Sequence, residues 1–237
     1  MISFIIPAYN EELLLGPTLR ALQAAAQAVG EPYEVIVVDD DSTDRTAAVA
    51  EENGARVVKV AHRQIAATRN SGARDARGDV LIFVDADTVV NAAVVRAAVQ
   101  ALHDGAVGGG CDLRFDGRLP FWAKLFVLLF RPIYRLARIA SGSFLFCTRQ
   151  AFEAVGGFDE SLFAAEELAM SRALRRQGRF VVLRETVTTS GRKLRTHSPW
   201  EILRVLSRLA VSGRKGVRQR QGLEIWYGAR REDPDKR

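Results

Sequence analysis

The chain has 237 residues, of which 48% are apolar and 26% charged, and 34 Lys/Arg against 28 Asp/Glu give a net charge of +6. This length is enough for one domain with a sizeable core, and the composition excludes collagen-like, disordered and small disulfide-rich proteins. The two cysteines, Cys111 and Cys147, cannot form a disulfide framework and favour a reducing compartment.

The first 110 residues alternate short apolar runs with helical patterns. The apolar runs, rich in Val and Ile, predict buried parallel strands at residues 2–6, 34–38, 56–60, 80–84 and 106–110. Apolar residues at helical spacing predict helices at 12–29, 45–53, 65–76 and 92–103, with glycines closing several of them. Strands that alternate with helices predict a mostly parallel sheet with helices on both faces.

The remaining residues are less regular. They predict a helix over 120–140 interrupted by Pro132, strands at 144–148 and 180–183, and helices at 149–155 and 166–177. Ser198 at the N-cap, Pro199 and Glu201 form a capping box that starts a helix running to about Leu209. We expect one domain with two halves, 1–110 and 111–212, and a basic, loosely ordered tail over 213–237.

Charge is divided unevenly between these halves. Residues 1–110 hold 9 Lys/Arg and 15 Asp/Glu, a balance of −6, whereas residues 111–237 hold 25 and 13, a balance of +12. A basic half is compatible with nucleic acid, an anionic membrane surface or phosphate-bearing small molecules, and charge alone does not choose among them.

Neither a leader nor a membrane span is predicted. Pro7 and Asn10 interrupt the apolar start, so no signal peptide is expected. The most apolar stretch, residues 121–130, contains Lys124, is followed by Arg131, and falls short of the roughly 20 residues that a spanning helix needs. We therefore expect a cytoplasmic protein.

Carboxylates follow three of the first four predicted strands. Glu11 lies after the first strand, Asp39, Asp40 and Asp41 after the second, and Asp85 with Asp87 after the fourth. Because ligands of such sheets bind at the carboxyl ends of the strands, these side chains should converge on one edge.

Asp85 and Asp87, spaced by one residue, are the central feature of this edge. Two hard oxygen ligands suit Mg²⁺ or Mn²⁺, which could bridge the phosphates of a substrate. The alternative is a pair of turn-forming aspartates, one of which caps the next helix.

The acidic run after the second strand has a similar double interpretation. Ser42, Thr43 and Asp44 are explained by helix capping and the helix dipole. Capping leaves Asp39 and Asp40 unexplained, and these could accept hydrogen bonds from a base, a ribose or an arginine.

Several motifs occur together in one order. They are IIPAYNE at 5–11, VVDDDSTD at 37–44, ATRNSG at 67–72, DAD at 85–87, GGFDE at 156–160 and the pair Glu166-Glu167. Over about residues 1–185 the chain thereby resembles family 2 glycosyltransferases, which are inverting, nucleotide-sugar-dependent enzymes. The resemblance implies the α/β GT-A (Rossmann-like) fold.

The resemblance also implies roles for individual residues. Those implied to contact the nucleotide sugar are Pro7, Ala8, Tyr9, Glu11, Asp39, Asp40, Arg69, Asp85 and Ala86. Within this set Asp40 would bind the base with support from Asp39, and Arg69 would approach the base or the diphosphate. Asp87, with Asp85, would ligate Mg²⁺ or Mn²⁺, which would neutralise charge on the departing diphosphate.

The same resemblance points to the acidic pair at 166–167 as the catalytic base. The family usually has Glu-Asp here, and Glu167 takes the aspartate's place to deprotonate the acceptor hydroxyl, with Glu166 beside it. The alternative is that both glutamates only favour the helix N-terminus. Arg192 or Lys193 could reach the diphosphate, and His197 is either a further metal ligand or a polar residue flanking a helix.

The acceptor side is indicated by a basic and apolar helix. Lys124, Arg131, Arg135 and Arg138 share one predicted stripe, and a neighbouring apolar stripe holds Trp122, Phe126, Leu129, Ile133 and Leu136. Such a helix either lies in a membrane interface or packs on the core. The membrane interpretation favours a lipid-linked or phosphate-bearing acceptor and a peripheral position at the inner face of the membrane.

These observations favour an enzyme that moves a sugar from a UDP- or GDP-sugar to an acceptor hydroxyl with inversion, in cell-envelope glycan or glycolipid synthesis. Nucleotidyl transfer is an alternative, although it normally shows a glycine-rich loop after the first strand. A nucleic-acid-binding module is disfavoured because the nine basic residues from Arg192 to Arg220 lack interleaved aromatics.

Overall fold

The computed structural model describes residues 1–137 and 139–228, together with residues 231, 233 and 235. Within these residues the strands are β1 (Ile2–Ala8), β2 (Tyr33–Asp40), β3 (Arg56–Val60), β4 (Val80–Val84), β5 (Thr88–Val89), β6 (Ala106–Phe115), β7 (Phe144–Thr148) and β8 (Arg179–Thr189). The helices are α1 (Glu12–Val29), α2 (Thr46–Glu52), α3 (Ile65–Asp75), α4 (Ala92–His103), α5 (Phe121–Leu136), α6 (Arg149–Ala154), α7 (Glu166–Gln177), α8 (Arg192–Thr196), α9 (Pro199–Val217) and α10 (Glu224–Tyr227).

The described strands form one sheet in the order β3-β2-β1-β4-β7-β6-β8-β5. The β3, β2, β1 and β4 strands run parallel, as strands joined through helices must. The β7 strand is antiparallel to both β4 and β6, while β6 and β8 are parallel. The predicted α/β fold with a mostly parallel sheet is confirmed, and the sheet draws strands from both halves of the chain.

Each face of the sheet carries its own apolar core. Alternate β1 residues point to opposite faces, so Phe4 and Ile6 join the core beneath α1, α2 and α4. Ile5 joins the other core, beneath α3, α6 and α7. Burial on both faces explains why the strands read as nearly continuous apolar runs.

Helix α3 lies unusually close to the sheet. A Cβ atom at Gly72 would come within 2.5 Å of Ile5 Cγ2 and 2.7 Å of Val38 Cγ2, so a larger residue would push the helix away. One turn earlier, Asn70 accepts a hydrogen bond from Phe158 N and donates one to Phe158 O, both at 2.9 Å. The 67–72 and 156–160 motifs are therefore two sides of one contact.

The structure differs from the sequence-based expectations in the second half. Helix α5 continues through Pro132 and ends at Leu136, not near residue 140. The Ser198–Glu201 capping box is present, with hydrogen bonds of 3.2 and 2.7 Å, but α9 runs to Val217 and not to Leu209. A glycine inside a helix costs only about 1 kcal/mol, so Gly213 does not end it.

The segment beyond α9 was expected to be loosely ordered, but it packs on the protein. Leu223 is buried, and α10 follows it directly. Within the described residues, no helix combines the length and the apolar character that crossing a membrane requires.

Candidate functional site

One cleft opens at the carboxyl ends of β1, β2 and β4 and is closed on its other sides by the starts of α3, α7 and α8 and by α10. It gathers most of the residues that the sequence pointed to. These are Pro7, Ala8, Tyr9, Glu11, Asp40, Arg69, Asp85, Ala86, Asp87, Glu166 and Glu167. Asp39 and His197 are not among the residues that line it.

Strained backbone surrounds this cleft. Among the described non-glycine residues, positive φ angles occur at Asn10 (49°), Asp41 (63°), Arg63 (50°) and Ala165 (61°). The first three follow β1, β2 and β3, and Ala165 directly precedes α7. Such conformations cost of order 1 kcal/mol or more each and concentrate at functional sites.

Asp40 orders the loop between β3 and α3. Its Oδ1 accepts hydrogen bonds from the backbone N–H groups of His62 (2.7 Å) and Arg63 (2.8 Å). Its Oδ2 accepts from Gln64 N (3.1 Å) and the Thr68 hydroxyl (2.8 Å). These bonds fill the roughly four lone-pair sites of a carboxylate, so Asp40 acts here through the loop that it holds.

Asp39 is buried one residue away and accepts a 3.3 Å hydrogen bond from Ser42 N. The side chain that the Asp40 loop presents to the cleft is Arg63. Its guanidinium carbon lies 3.6 Å from the centroid of the Tyr9 ring, and Nη1 is 3.8 Å from Asp41 Oδ2. This cation–π stack gives the cleft a flat wall at the end of β1.

Asp87 lies in the most acidic corner of the cleft. Burial raises its pKa to about 6; Lys193 opposes this rise, and the charges of Glu11 and Asp85 add to it. A carboxylate whose ionisation is opposed by burial and by two other carboxylates is one that a bound cation would stabilise. The donor set is therefore chemically suited to a hard divalent cation.

Cations from the second half of the chain reach this corner. Arg192 Nη2 lies 2.7 Å from Glu11 Oε1 in an ion pair that is mostly buried. Lys193 lines the cleft beside Asp87. The sequence left Arg192 and Lys193 as alternatives for a phosphate contact, and the ion pair to Glu11 leaves Lys193 as the better placed of the two.

Arg69 lies between two carboxylates. Its Nη2 is 2.9 Å from Asp85 Oδ1, its Nη1 is 2.9 Å from Glu166 Oε1, and its side chain is only 3% exposed. Nη2 also donates to Gly142 O at 3.3 Å. Arg69 was expected to approach the base or the diphosphate, but its guanidinium joins the metal-side carboxylate to the acidic pair of α7.

Glu166 and Glu167 differ sharply in environment. Burial, followed by the like charge of Glu167, raises the pKa of Glu166 to about 8, and Arg69 opposes this rise. Glu167 is half-buried and faces the cleft. The left-handed conformation of Ala165 turns the chain so that the adjacent glutamates can occupy these two positions.

His197 lies in a separate small cavity with Thr196, Glu224 and Arg231. Its Nδ1 is 3.1 Å from both Lys193 O and Thr196 Oγ1, and burial lowers its pKa. The structure therefore does not bring His197 to Asp85 and Asp87.

Four cleft residues were missed by the sequence interpretation: Gln64, Phe163, Trp226 and Tyr227. Gln64 begins the loop that Asp40 orders, and no local motif marks it. Trp226 and Tyr227 form an aromatic pair just beyond the basic run, and that pair was the available signal.

We expect Asp40→Asn to lower the free energy of unfolding by about 1–3 kcal/mol, because an amide NH₂ would face donors of the loop. Asp41→Asn is the matched control, since that side chain is 61% exposed and should change stability by less than about 0.5 kcal/mol. Urea unfolding measures both. Unchanged stability in Asp40→Asn together with lost nucleotide affinity would contradict a loop-ordering role and assign the residue to the base.

Comparisons with known proteins agree with this site. Two curated relatives are an undecaprenyl-phosphate 4-deoxy-4-formamido-L-arabinose transferase of Pseudomonas paraeruginosa, 35% identical over 139 residues, and a 4,4'-diaponeurosporenoate glycosyltransferase of Staphylococcus haemolyticus, 42% identical over 97. These matches cover 54% and 38% of this chain, and only 41% and 25% of the relatives' lengths.

A solved structure is similar over most of the chain. The mannosyltransferase PcManGT of Pyrobaculum calidifontis, in complex with GDP-Man and Mn²⁺, shares the fold with a TM-score of 0.67 and 20% identity, over 89% of this chain and 61% of its own. Residues 3–156, more than half of the chain, match the family model described as Glycosyl transferase family 2. The chain therefore belongs to glycosyltransferase family 2.

Proposed function

We propose that the protein transfers a sugar from a nucleoside-diphosphate sugar to an acceptor hydroxyl, with inversion and with the help of a divalent cation. The observation that carries this proposal is the meeting of Asp85, Asp87 and Glu167 in one cleft, although they lie on separate elements. A cation site and a base that share one cleft are the two components that such a transfer needs.

Asp87 and Asp85 would hold Mg²⁺ or Mn²⁺. No three His, Cys, Asp or Glu side chains of the described chain form a ready ligand group, so two carboxylates would act together with substrate oxygens. This sharing is usual for Mg²⁺ sites that bind phosphates. A cation held there would neutralise charge on the departing diphosphate, and the Mn²⁺ of the Pyrobaculum complex supports this choice.

Glu167 is our candidate for the base. In a single displacement it takes the proton of the acceptor hydroxyl while the acceptor oxygen bonds to the anomeric carbon, and the bond from that carbon to the diphosphate oxygen breaks. Glu166 is less suited because it is buried and paired with Arg69. Arg69 and Glu166 would instead fix the position of Glu167 relative to Asp85.

The remaining cleft residues fit the donor. The Tyr9–Arg63 stack offers a flat surface to a nucleobase, next to the turn at Pro7 and Ala8. Lys193 is placed to contact the diphosphate near Asp87. The GDP-Man complex of the Pyrobaculum enzyme supports a nucleotide-sugar donor.

Mn²⁺ together with UDP, GDP or ADP should raise the melting temperature of the protein, by about 5–10 °C when the nucleotide is at 100 times its Kd. Asp87→Ala should abolish the shift because it removes a ligand of the cation. Asp79→Ala is the control, since Asp79 precedes the same strand and is 88% exposed. The absence of a shift with all three nucleotides, or its persistence in Asp87→Ala, would contradict the proposed donor site.

Glu167→Gln should lower kcat for transfer by about 10²–10⁴-fold and leave the donor KM nearly unchanged, as expected for loss of a general base. Because the raised pKa keeps a proton on the pair at low pH, the wild-type rate should rise with pH toward about 8. Glu153→Gln, an exposed change on α6, is the control. A normal kcat in Glu167→Gln would exclude this residue as the base.

We further propose that the protein contacts a membrane surface through α5 and acts there on a lipid-linked acceptor. The exposed side chains of α5 are apolar, and they are Phe121, Leu125, Leu128, Leu129 and Leu136. These positions fall within an arc of roughly 100° on an α-helix, with Ala123 buried on the opposite side.

This exposed stripe differs from the one predicted. Trp122 and Phe126 are half-buried, and only Leu129 and Leu136 are shared with the predicted apolar stripe. Lys124 is exposed, whereas Arg138 and the side chains of Ile133, Arg131 and Arg135 lie outside the described parts. An exposed apolar stripe on the +12 half of the chain suits an anionic bilayer, and the name of the Pseudomonas relative supports a lipid-linked acceptor.

At low salt the protein should sediment with vesicles of phosphatidylcholine and phosphatidylglycerol, and much less with phosphatidylcholine alone. A Leu128→Ser/Leu129→Ser variant should lose most of this binding because the stripe loses its apolar contact. Leu13→Ser on α1, where the leucine is 81% exposed, is the control. If the wild-type protein stays in the supernatant, the membrane proposal is wrong.

A further inference from the structure

The end of the chain crosses to the mouth of the cleft. We name it the C-terminal strap: residues 217–228 together with 231, 233 and 235. Val217 O accepts a 2.7 Å hydrogen bond from Phe163 N, just before α7, and Leu223 is buried. Farther along, Asp233 forms a buried ion pair with Arg195 of α8.

The strap contributes an aromatic wall to the cleft. Trp226 and Tyr227 of α10 both line it. The Tyr227 ring meets the Phe163 ring edge-on, at 5.8 Å and 72°, and the Arg220 guanidinium lies 5.3 Å from its centroid on the outside. The wall is therefore held in place from two directions.

This wall lies at the base end of the cleft. Phe163 precedes Glu166 and Glu167 by a few residues on the same segment, and Tyr227 is close enough to both glutamates for their charges to act on its phenol. An acceptor must bind next to the base, whereas the donor binds next to the cation site. Trp226 and Tyr227 consequently flank the place that an acceptor would occupy.

Charge at this end disfavours an anionic acceptor group. Three cations are found among the described residues that line the cleft, namely Arg63, Arg69 and Lys193. Arg69 is engaged by Glu166 and Asp85, Arg63 lies on Tyr9, and Lys193 is beside Asp87. A phosphate monoester placed at Glu167 would thus face two glutamates without a cation of its own.

We propose that Trp226 and Tyr227 form an acceptor subsite that binds a neutral, hydroxyl-bearing sugar ring through its apolar face. The inference rests on the proposed glycosyl transfer. Aromatic rings present a flat apolar surface that matches the C–H face of a pyranose, while the nearby carboxylates suit its hydroxyl groups. The ring can belong to a free sugar or to the head of a glycolipid.

Ligand-observed NMR would test this subsite without requiring turnover. Methyl and n-hexyl β-glycosides of glucose, galactose and N-acetylglucosamine are the neutral probes, and farnesyl phosphate is the anionic one, each with and without Mn²⁺ and UDP or GDP. At least one glycoside should bind, more tightly than farnesyl phosphate. A preference for the hexyl over the methyl form would indicate a lipid-linked source.

Trp226→Ala should weaken glycoside binding about tenfold or more while the nucleotide-induced melting shift remains. Trp226→Leu, which keeps an apolar side chain in the strap but removes the flat ring, should have the same effect. Trp200→Ala is the matched control, because that tryptophan is 75% exposed on α9. Its binding should equal that of the wild-type protein.

Glycoside binding that survives in both Trp226 variants, or tighter binding of farnesyl phosphate, would overturn the subsite. If glycosides bind through Trp226 but no nucleotide raises the melting temperature, the subsite stands and the proposed transfer fails. The two ideas therefore fail separately.

Discussion

The buried guanidinium of Arg69 is the constraint on which the rest of the site depends. It bridges Asp85 at the end of β4 and Glu166 at the start of α7, at 2.9 Å each. Removing one partner of such a buried network leaves an uncompensated charge, which costs several kcal/mol. The donor side and the base side of the cleft are thus held at one spacing, which depends on the close approach of α3 that Gly72 permits.

The uneven charge of the two halves is explained by the same cleft. The first half supplies carboxylates at its strand ends, and the second half returns Arg192 and Lys193 to that edge. Arg192 pairs with Glu11 across 181 positions of sequence, so folding joins the acidic front to the basic back at the site itself. Part of the +12 balance therefore serves the cleft, and the charge asymmetry does not require a nucleic-acid partner.

The sequence predicted most of what local physical chemistry controls. The bounds of α1, α4 and α7 and of β3, β4 and β7 agree with the structure, because capping residues, glycines and period changes mark them. The partners of Arg69 and the saturation of Asp40 could not be predicted, since they join residues far apart in sequence. The two-residue β5 carries too little pattern, and the strap was missed because its basic composition resembles a solvated tail.

The distribution of cations also links the two proposals about the acceptor. A lipid phosphate as nucleophile would need a cation beside Glu167, and the described cleft residues place their cations elsewhere. An exposed apolar stripe on α5 can hold the enzyme at a bilayer without any charge in the cleft. The acceptor most consistent with both surfaces carries its lipid at the membrane and offers the aromatic wall a neutral sugar hydroxyl. Membrane attraction and acceptor choice then rest on different residues, so each can be altered without the other.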